Sequence, residues 1–275
     1  MRTKKALRIK YIIMTIVSLI VILPYLWMLS TSLKTPSKIF VSPPQWIPDP
    51  VRFENFIDLF TNGSYGLYLW NSFKVAFLTT VGTVIVSTLA GYALSKIKFP
   101  GRNFFFILFL SAMMLPVEVI TIPTFLGLAK FNLTNSHFAL IVPQIFGMGG
   151  AFGVFMMRQY FITVPNELVD AGKIDGCDQF GIFIKIILPM ASSTIASLVI
   201  YTFFNSWNDY FLPLIYLSDS KKYTSTLALS LFADEVGVSW NLVMAASLIS
   251  TLPLLIVFFG AQKKFIESMA MSGIK

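Results

Sequence analysis

Charge is what this 275-residue chain has least of: 12% of its residues are Asp, Glu, Lys or Arg, where a soluble domain carries about 25%. With 56% apolar residues and 27 Phe, too little polar side chain is left to clothe a soluble core, so the chain reads as a membrane protein. One cysteine, Cys177, excludes a disulfide scaffold, and the lack of low-complexity runs excludes a disordered tail. One histidine, His137, leaves no His or Cys cluster for a metal and no Ser-His-Asp or Cys-His nucleophile, so both residues read as structural. No G-x-x-x-x-G-K-[ST] stretch occurs, and the chain therefore cannot cradle nucleotide phosphates by itself. The formal net charge of +8 raises nucleic acid as a partner, and the position of the basic residues decides that question.

Long apolar runs are what the sequence has in abundance. Crossing the hydrocarbon takes about 20 apolar residues, and six windows of that order, each with at most one charge, cover 11–33, 75–94, 104–128, 138–157, 189–217 and 242–261. The runs are continuous and do not alternate as barrel strands do. The expectation is an all-α integral membrane protein: six transmembrane helices in one domain over residues 1–275. Arg2, Lys4, Lys5, Arg8 and Lys10 precede the first run and place the amino terminus in the cytoplasm. Six crossings return the carboxyl terminus to the same side. Fourteen of the 21 basic residues then lie inside, against Lys34, Lys38, Arg52, Lys74, Lys130, Lys221 and Lys222 outside. Topology thus accounts for the basic excess without nucleic acid. The first run is too long for a signal peptide and lacks an A-x-A-like site, so it reads as an uncleaved anchor.

The outer segment 35–71 opens with Pro36, Pro43, Pro44, Pro48 and Pro50, which predict an extended, turn-rich path. Phe53, Phe56, Ile57 and Phe60 then recur at helical spacing, as in a short amphipathic helix lying on the membrane or a partner. A second outer segment, 218–240, carries Asp219, Asp234 and Glu235 beside Lys221 and Lys222 and suits contact with a soluble partner. Inside, the stretch 158–188 predicts a knob of two short helices. Pro165 suits the first turn of the first helix, Glu167 and Asp170 put negative charge near its start, and Asp175-Gly176 ends it. Asp178 caps the second, which runs through Phe180, Ile184 and Ile187 to Leu188-Pro189, where the fifth run enters the bilayer. Such a knob fits a groove on a cytoplasmic partner, or is an ordinary inter-span loop.

Pro165-Asn166-Glu167-Leu168-Val169-Asp170-Ala171-Gly172-Lys173-Ile174-Asp175-Gly176, followed by Ile187-Leu188-Pro189, resembles the EAA loop of ABC importer permeases. Asn71-Ser72, Gly91-Tyr92-Ala93-Leu94, Phe99-Pro100-Gly101-Arg102, Met113-Met114-Leu115-Pro116 and Ile122-Pro123 look like the carbohydrate-uptake branch, MalG-like. Trp207-Asn208-Asp209-Tyr210, Leu212-Pro213-Leu214, Met244-Ala245-Ala246 and Gln262-Lys263-Lys264-Phe265 agree with it, so the likeness runs from about residue 7 to the end. Two departures stand out: the family's Glu-Ala-Ala is Asp170-Ala171-Gly172, and Ser268 replaces a glycine common after the Gln-basic-Phe stretch. The resemblance implies a multi-pass permease subunit of the bacterial inner membrane, itself non-catalytic. Its implied partners are a second homologous permease, an ATPase dimer that holds ATP and Mg, an extracytoplasmic solute-binding protein and membrane lipid. It also implies ATPase coupling through Glu167, Asp170, Ala171, Gly172, Asp175, Gly176, Leu188 and Pro189, with the segment 271–275 as a further ATPase contact.

Glu118 and Asp209 are ionisable groups at membrane depth, where burial without a partner is expensive. They form, with Gln144, Asn205, Trp207 and Asn208, a candidate polar wall of a solute path, since sugars need hydroxyl partners and an aromatic face. The plainer reading is that Trp207-Asn208-Asp209 locks the outer end of the fifth span by hydrogen bonds. Gly149 and Gly153 form a small-xxx-small pair for close helix packing. Pro24, Pro116, Pro123, Pro143, Pro213 and Pro253 predict kinked spans, as around transport cavities. From another class, a stand-alone secondary transporter would use Glu118 or Asp209 as its proton-coupling carboxylate. A membrane hydrolase lacks catalytic residues.

Overall fold

The computed structural model describes the backbone of residues 4–61, 63–234 and 237–272. In chain order, α1 (Lys4–Ser32), α2 (Glu54–Thr61) and α3 (Tyr65–Lys96) come first. The third apolar run divides into α4 (Arg102–Met113) and α5 (Val117–Lys130), and the fourth into α6 (His137–Phe146) and α7 (Met148–Thr163). α8 (Asn166–Ile174), α9 (Gln179–Ile182), a π-helical turn (Phe183–Ile187) and α10 (Leu188–Met190) follow. Then come α11 (Ser192–Asn208), α12 (Phe211–Tyr216) and α13 (Ser225–Ala228). A two-residue antiparallel ladder, β1 (Ala233–Asp234) with β2 (Gly237–Val238), precedes α14 (Trp240–Ser272). Apart from that ladder the described fold is helical.

Among the described residues α1, α3, α6 with α7, and α14 are long and apolar enough to cross a membrane. The runs expected as single helices over 104–128 and 189–217 are bent instead. α4 and α5 meet at 101°, and the helical stretch ending at Met190 meets α11 at 78°. Pro116 explains the first bend, because it has no amide to donate and bars its predecessor from helical geometry. At the second, Pro189 does not end the helix as expected. The preceding turn widens to a π-helix, which accommodates the missing amide, and the chain turns at Ala191. α11 then stops at Asn208, so the fifth run is three helices.

The chain divides into two compact units, Met1–Leu67 with Ala228–Leu252, and Tyr68–Leu227 with Pro253–Lys275. In the first, every side chain of α1 from residue 7 to 26 is exposed. A helix apolar on all sides and uncovered by its own chain is suited to hydrocarbon. Its far end is polar and buried. Lys34, counted above as an outer-loop charge, is 1% exposed, with its Nζ 4.2 Å from the Trp27 ring centroid. Trp27 in turn meets Trp46 edge-on at 4.9 Å, which folds the proline-rich segment back on α1. Of the expected stripe, Phe53 just before α2 and Ile57 and Phe60 within it are exposed and Phe56 is half-buried, while Asn55 and Leu59 are buried. Asn55 is a clamp: its Nδ2 donates to the carbonyls of Ser32 (2.8 Å) and Lys34 (3.0 Å), and its Oδ1 accepts from Asn241 Nδ2 (2.9 Å).

The second unit is packed around Tyr92, Met157, Phe161, Ile182, Phe183 and Leu198. α3 and α7 approach closely at Gly153, where an added Cβ would lie 2.2 Å from Ser87 Oγ. Ser87 Oγ donates to the Gly150 carbonyl at 3.4 Å. The close approach therefore involves Gly150 and Gly153, while Gly149 of the expected pair lines a cavity. Asn71 and Ser72 hold the start of the 218–240 segment: Asn71 Nδ2 donates to the carbonyls of Lys221 (2.9 Å) and Tyr223 (3.0 Å), and the Ser72 and Ser225 hydroxyls meet at 2.9 Å. Residues 235–236 of that segment and 273–275 of the 271–275 tail lie outside the described residues.

Replacing Asn55 by Leu strands two buried carbonyls and one amide. The chain in detergent should lose on the order of 3 kcal/mol, read as a lower melting temperature by scanning fluorimetry; an unchanged melting temperature would remove the clamp.

Candidate functional site

α7 runs to Thr163, so the knob expected over 158–188 begins six residues later, at Val164. Pro165 takes the N-cap position of α8 rather than its first turn, and Glu167 follows in that turn, near the positive end of the helix. Lys96, at the end of α3, donates from Nζ to the Val164 carbonyl and to Asn166 Oδ1 (2.9 Å). This charge-assisted pair pins the start of α8. The helix closes at Asp175, and Gly176 turns left-handed at φ +80°. There the Cys177 amide reaches back to the Gly172 carbonyl at 2.9 Å and the Gly176 amide to that of Lys173 at 3.0 Å, which satisfies orphan carbonyls of the last turn. Asp178 Oδ1 accepts from the Gly181 amide at 2.8 Å and caps α9 as expected. Tyr92 Oη donates to Gln179 Oε1 at 3.2 Å, so α3 grips the start of the second short helix as well.

Gly172 is where this packing is closest. A Cβ there would come within 2.8 Å of Ile186 Cδ1 and 3.0 Å of Ile182 Cγ1, so α8 lies against α9 and the π-turn with little to spare. Of the expected coupling residues, Gly172 is buried and Leu188 half-buried, while Glu167, Asp170, Ala171, Asp175, Gly176 and Pro189 are exposed. The Asp170–Lys173 pair (3.0 Å) is open to solvent and contributes little stability. Beside these carboxylates Ile174 is 86% and Phe180 62% exposed, an apolar tip that the knob itself does not cover. Arg158 braces the base: its Nε donates to the Leu94 carbonyl at 3.2 Å and its guanidinium sits 3.8 Å from the Phe106 ring centroid. Sequence reasoning missed Lys96 and Arg158, which counted only as topological charges. Tyr92 entered only as part of a familiar stretch.

The second candidate site is a cavity of about 240 Å³ whose lining includes Thr79, Thr121, Gln144, Asn205, Asp209 and Tyr216. Asp209 sits where α11 gives way to α12. Its Oδ2 accepts from Gln144 Nε2 (3.3 Å) and its Oδ1 from the Leu212 amide (3.2 Å). Tyr216 Oη donates to the Thr121 carbonyl at 3.1 Å. Thr79 is 1% exposed and its hydroxyl has no hydrogen-bond partner, which costs about 1–3 kcal/mol if nothing fills the role. The structure brings Gln144, Asn205 and Asp209 together on this wall and leaves the other three off it. Trp207 is buried and stacks on Phe203 at 5.6 Å, with its carbonyl accepting from Thr226 Oγ1 at 2.9 Å. Asn208 is exposed and donates to the Phe204 carbonyl at 2.9 Å. Glu118 is exposed, because its neighbours Val117, Ile120 and Thr121 take the cavity side of α5. His137 Nε2 is 2.9 Å from the Lys222 carbonyl. Among the described residues no group of His, Cys, Asp or Glu is arranged to hold a metal.

Apolar helices long enough for a bilayer, a cavity among their breaks and a braced two-helix knob are the parts of a multi-pass transport subunit. Residues 84–270 match the family of binding-protein-dependent transport system inner membrane components. The chain is 35% identical to the arabinooligosaccharides transport system permease protein AraQ of Halalkalibacterium halodurans, over 83% of this chain and 81% of that one. It is 33% identical to AraQ of Bacillus subtilis, over 94% and 92%. It is 35% identical to the sn-glycerol-3-phosphate transport system permease protein UgpE of Yersinia pestis, over 86% of each. Its fold is similar to that in the crystal structure of a bacterial ABC transporter involved in the import of the acidic polysaccharide alginate, with a TM-score of 0.82 at 21% identity, over 96% of this chain and 98% of that one. The chain belongs to the binding-protein-dependent inner membrane component family: it is a non-catalytic permease subunit of an ABC importer in the bacterial inner membrane. Membership implies a solute-binding protein and an ATPase as partners.

Lys96→Met unpins α8 without touching the knob surface. Solute moved per ATP hydrolysed in proteoliposomes should fall on the order of fivefold to tenfold with normal insertion; an unchanged ratio would make Lys96 a topological charge only.

Proposed function

We propose that the chain is one permease half of a sugar importer, with all 275 residues serving as a single transmembrane domain of six spans and both termini in the cytoplasm. A second, homologous permease completes the path, lipid surrounds it, and the knob sits in the ATPase dimer, which binds ATP and Mg. The double grip of α3 on the knob, Lys96 on α8 and Tyr92 on α9, carries this reading. A tip with exposed Ile174 and Phe180 among the carboxylates of Glu167, Asp170 and Asp175 suits a cleft on a soluble subunit. When the ATPases close, a knob fixed to α3 and continuous through the π-turn with α10 moves those helices with it. Ala171 and Gly172 keep the contact side slim, and Leu188-Pro189 carry the motion toward α11. The segment 218–240 contacts the loaded binding protein, and the segment 271–275 adds a second contact with the ATPases.

The sugar class is supported by relatives named for arabinooligosaccharides and for sn-glycerol 3-phosphate, and by a cavity lined with hydroxyls, amides and aromatic rings. Distribution of Lys and Arg, fourteen inside against seven outside, supports the orientation.

Two outcomes are expected of the chain reconstituted with its second permease, ATPase and binding protein. Uptake should need ATP and survive an uncoupler; uptake that runs without ATP and collapses with the uncoupler would return the secondary-transporter reading and its carboxylates. Gly176→Pro, which cannot hold φ near +80°, should abolish uptake with the chain still inserted, and normal uptake by that variant would sink the knob's role.

A further inference from the structure

We propose that the turn between α3 and α4 is a headgroup site for an anionic phospholipid, with Lys98 and Arg102 holding its phosphodiester. The inference rests on the orientation in the permease reading, which puts this turn in the cytoplasm, and goes beyond it in giving one class of lipid a place on the chain. Gly101 turns left-handed at φ +82° and folds the first turn of α4 back beside the residues that follow α3. Lys98, Phe99, Gly101, Arg102, Asn103 and Phe104 thereby line one open cleft of about 310 Å³. Two cations and an amide meet there with two aromatic rings, a lining suited to an anionic group carried on an apolar stem.

The charge in this corner has no counterpart nearby. The ends of α3, α4 and α7 that converge here, with the turn 97–101, supply Lys96, Lys98, Arg102 and Arg158, and none of these elements contains an Asp or Glu. Lys96 is spent on the knob. Arg102 Nη1 and Arg158 Nε reach the consecutive carbonyls of Ser95 (3.5 Å) and Leu94 (3.2 Å), which brings two guanidinium groups together at the end of α3. An anion beside Arg102 offsets their mutual repulsion. Lys98 is exposed, and among the described residues neither it nor Arg102 is in a salt bridge.

A phospholipid suits the cleft better than free phosphate because of what adjoins it. Phe104, Phe105, Ile107 and Leu108 are exposed along α4, while Phe106 turns to stack on Phe155 of α7 at 6.4 Å. An apolar face thus leads from the cleft toward the hydrocarbon, where acyl chains can follow it. Bound there, the headgroup steadies Arg102 and, through the Ser95 carbonyl, the end of α3 that carries Lys96.

Native mass spectrometry of the assembled transporter, titrated in detergent with phosphatidylglycerol or phosphatidylcholine, tests the site without regard to orientation. The wild type should bind phosphatidylglycerol in preference. In Lys98→Gln, which gives up no bond within the chain, one of these binding events should weaken about fivefold, and in Lys98→Gln/Arg102→Gln roughly thirtyfold, the worth of one and of two cations at a lipid surface. Arg102→Lys should keep most of the affinity. Lys263→Gln/Lys264→Gln, which removes equal charge from α14, should leave it unchanged. No preference in the wild type, or a Lys98→Gln variant indistinguishable from it, would overturn the site. So would an equal loss in the α14 pair, which means diffuse surface charge, or displacement of the lipid by inorganic phosphate at constant ionic strength, which means a free-anion pocket. The permease reading is judged separately, by ATP-driven uptake of the wild type with its full set of partners.

Discussion

A helix that breaks inside hydrocarbon must find partners on the spot for the amides and carbonyls it frees, since no water is there to take them. Three helix breaks surround the cavity, and the second unit of this chain depends on how they are closed. Between α4 and α5, the Met114 amide reaches back to Ser111 and the Val119 amide to Pro116, each at 3.1 Å. Between α6 and α7, Gly147 donates to the Pro143 carbonyl at 2.8 Å and accepts from the Ala151 amide at 2.9 Å, which carries the ladder across. Between α11 and α12, Asp209 stands in for a backbone carbonyl by accepting from Leu212, while Thr226 donates to the carbonyl of Trp207. Residues at all three breaks line the cavity, among them Val117, Gln144, Gly149 and Asp209. At these three breaks the irregular backbone borders the cavity.

The same rule separates the two ends of α3. At one end Asn71 and Ser72 hold 221–225 by side-chain bonds to backbone and hydroxyl. At the other Tyr92 and Lys96 hold the knob. Between them Ser87 and Gly153 bring α3 and α7 to near backbone contact, so the two helices form one stiff element. The coupling proposed for the knob requires such stiffness, because a yielding base would absorb a partner's stroke instead of passing it on. The π-turn before α10 keeps the chain helical past Pro189 and so keeps the knob joined to the segment that leads into α11.

Local chemistry was legible in the sequence, and pairings across long separations were not. Gly176 and Asp178 act within a few residues, so the knob's turn and second cap followed from residue type alone. The grip of Lys96 on Asn166 and of Tyr92 on Gln179 spans 70 and 87 residues, and nothing in the composition of either stretch announces it. Apolar length marked where the chain is built to cross a bilayer but was blind to breaks that cost no hydrophobicity. Gly147 and Pro116 interrupt helices without lowering the average, and Asp209 was noticed as a charge, not as a helix break. Lys34 failed for the opposite reason. It was counted among the outer-loop charges, whereas it lies buried under an indole ring, and Asn55, a buried clamp, was not singled out.

The proposed coupling requires the knob to face the cytoplasm and touch the ATPase. Cys177 is the one cysteine of the chain, half-buried at the knob's turn, so it reports on this without any substitution in the chain. A photoactivatable maleimide placed on Cys177 in inverted membrane vesicles should crosslink to the ATPase subunit on illumination, and a membrane-impermeant maleimide added to intact cells should leave the thiol unlabelled. Labelling of Cys177 from outside intact cells, or efficient labelling in vesicles with no crosslink to an ATPase, would contradict that placement of the knob.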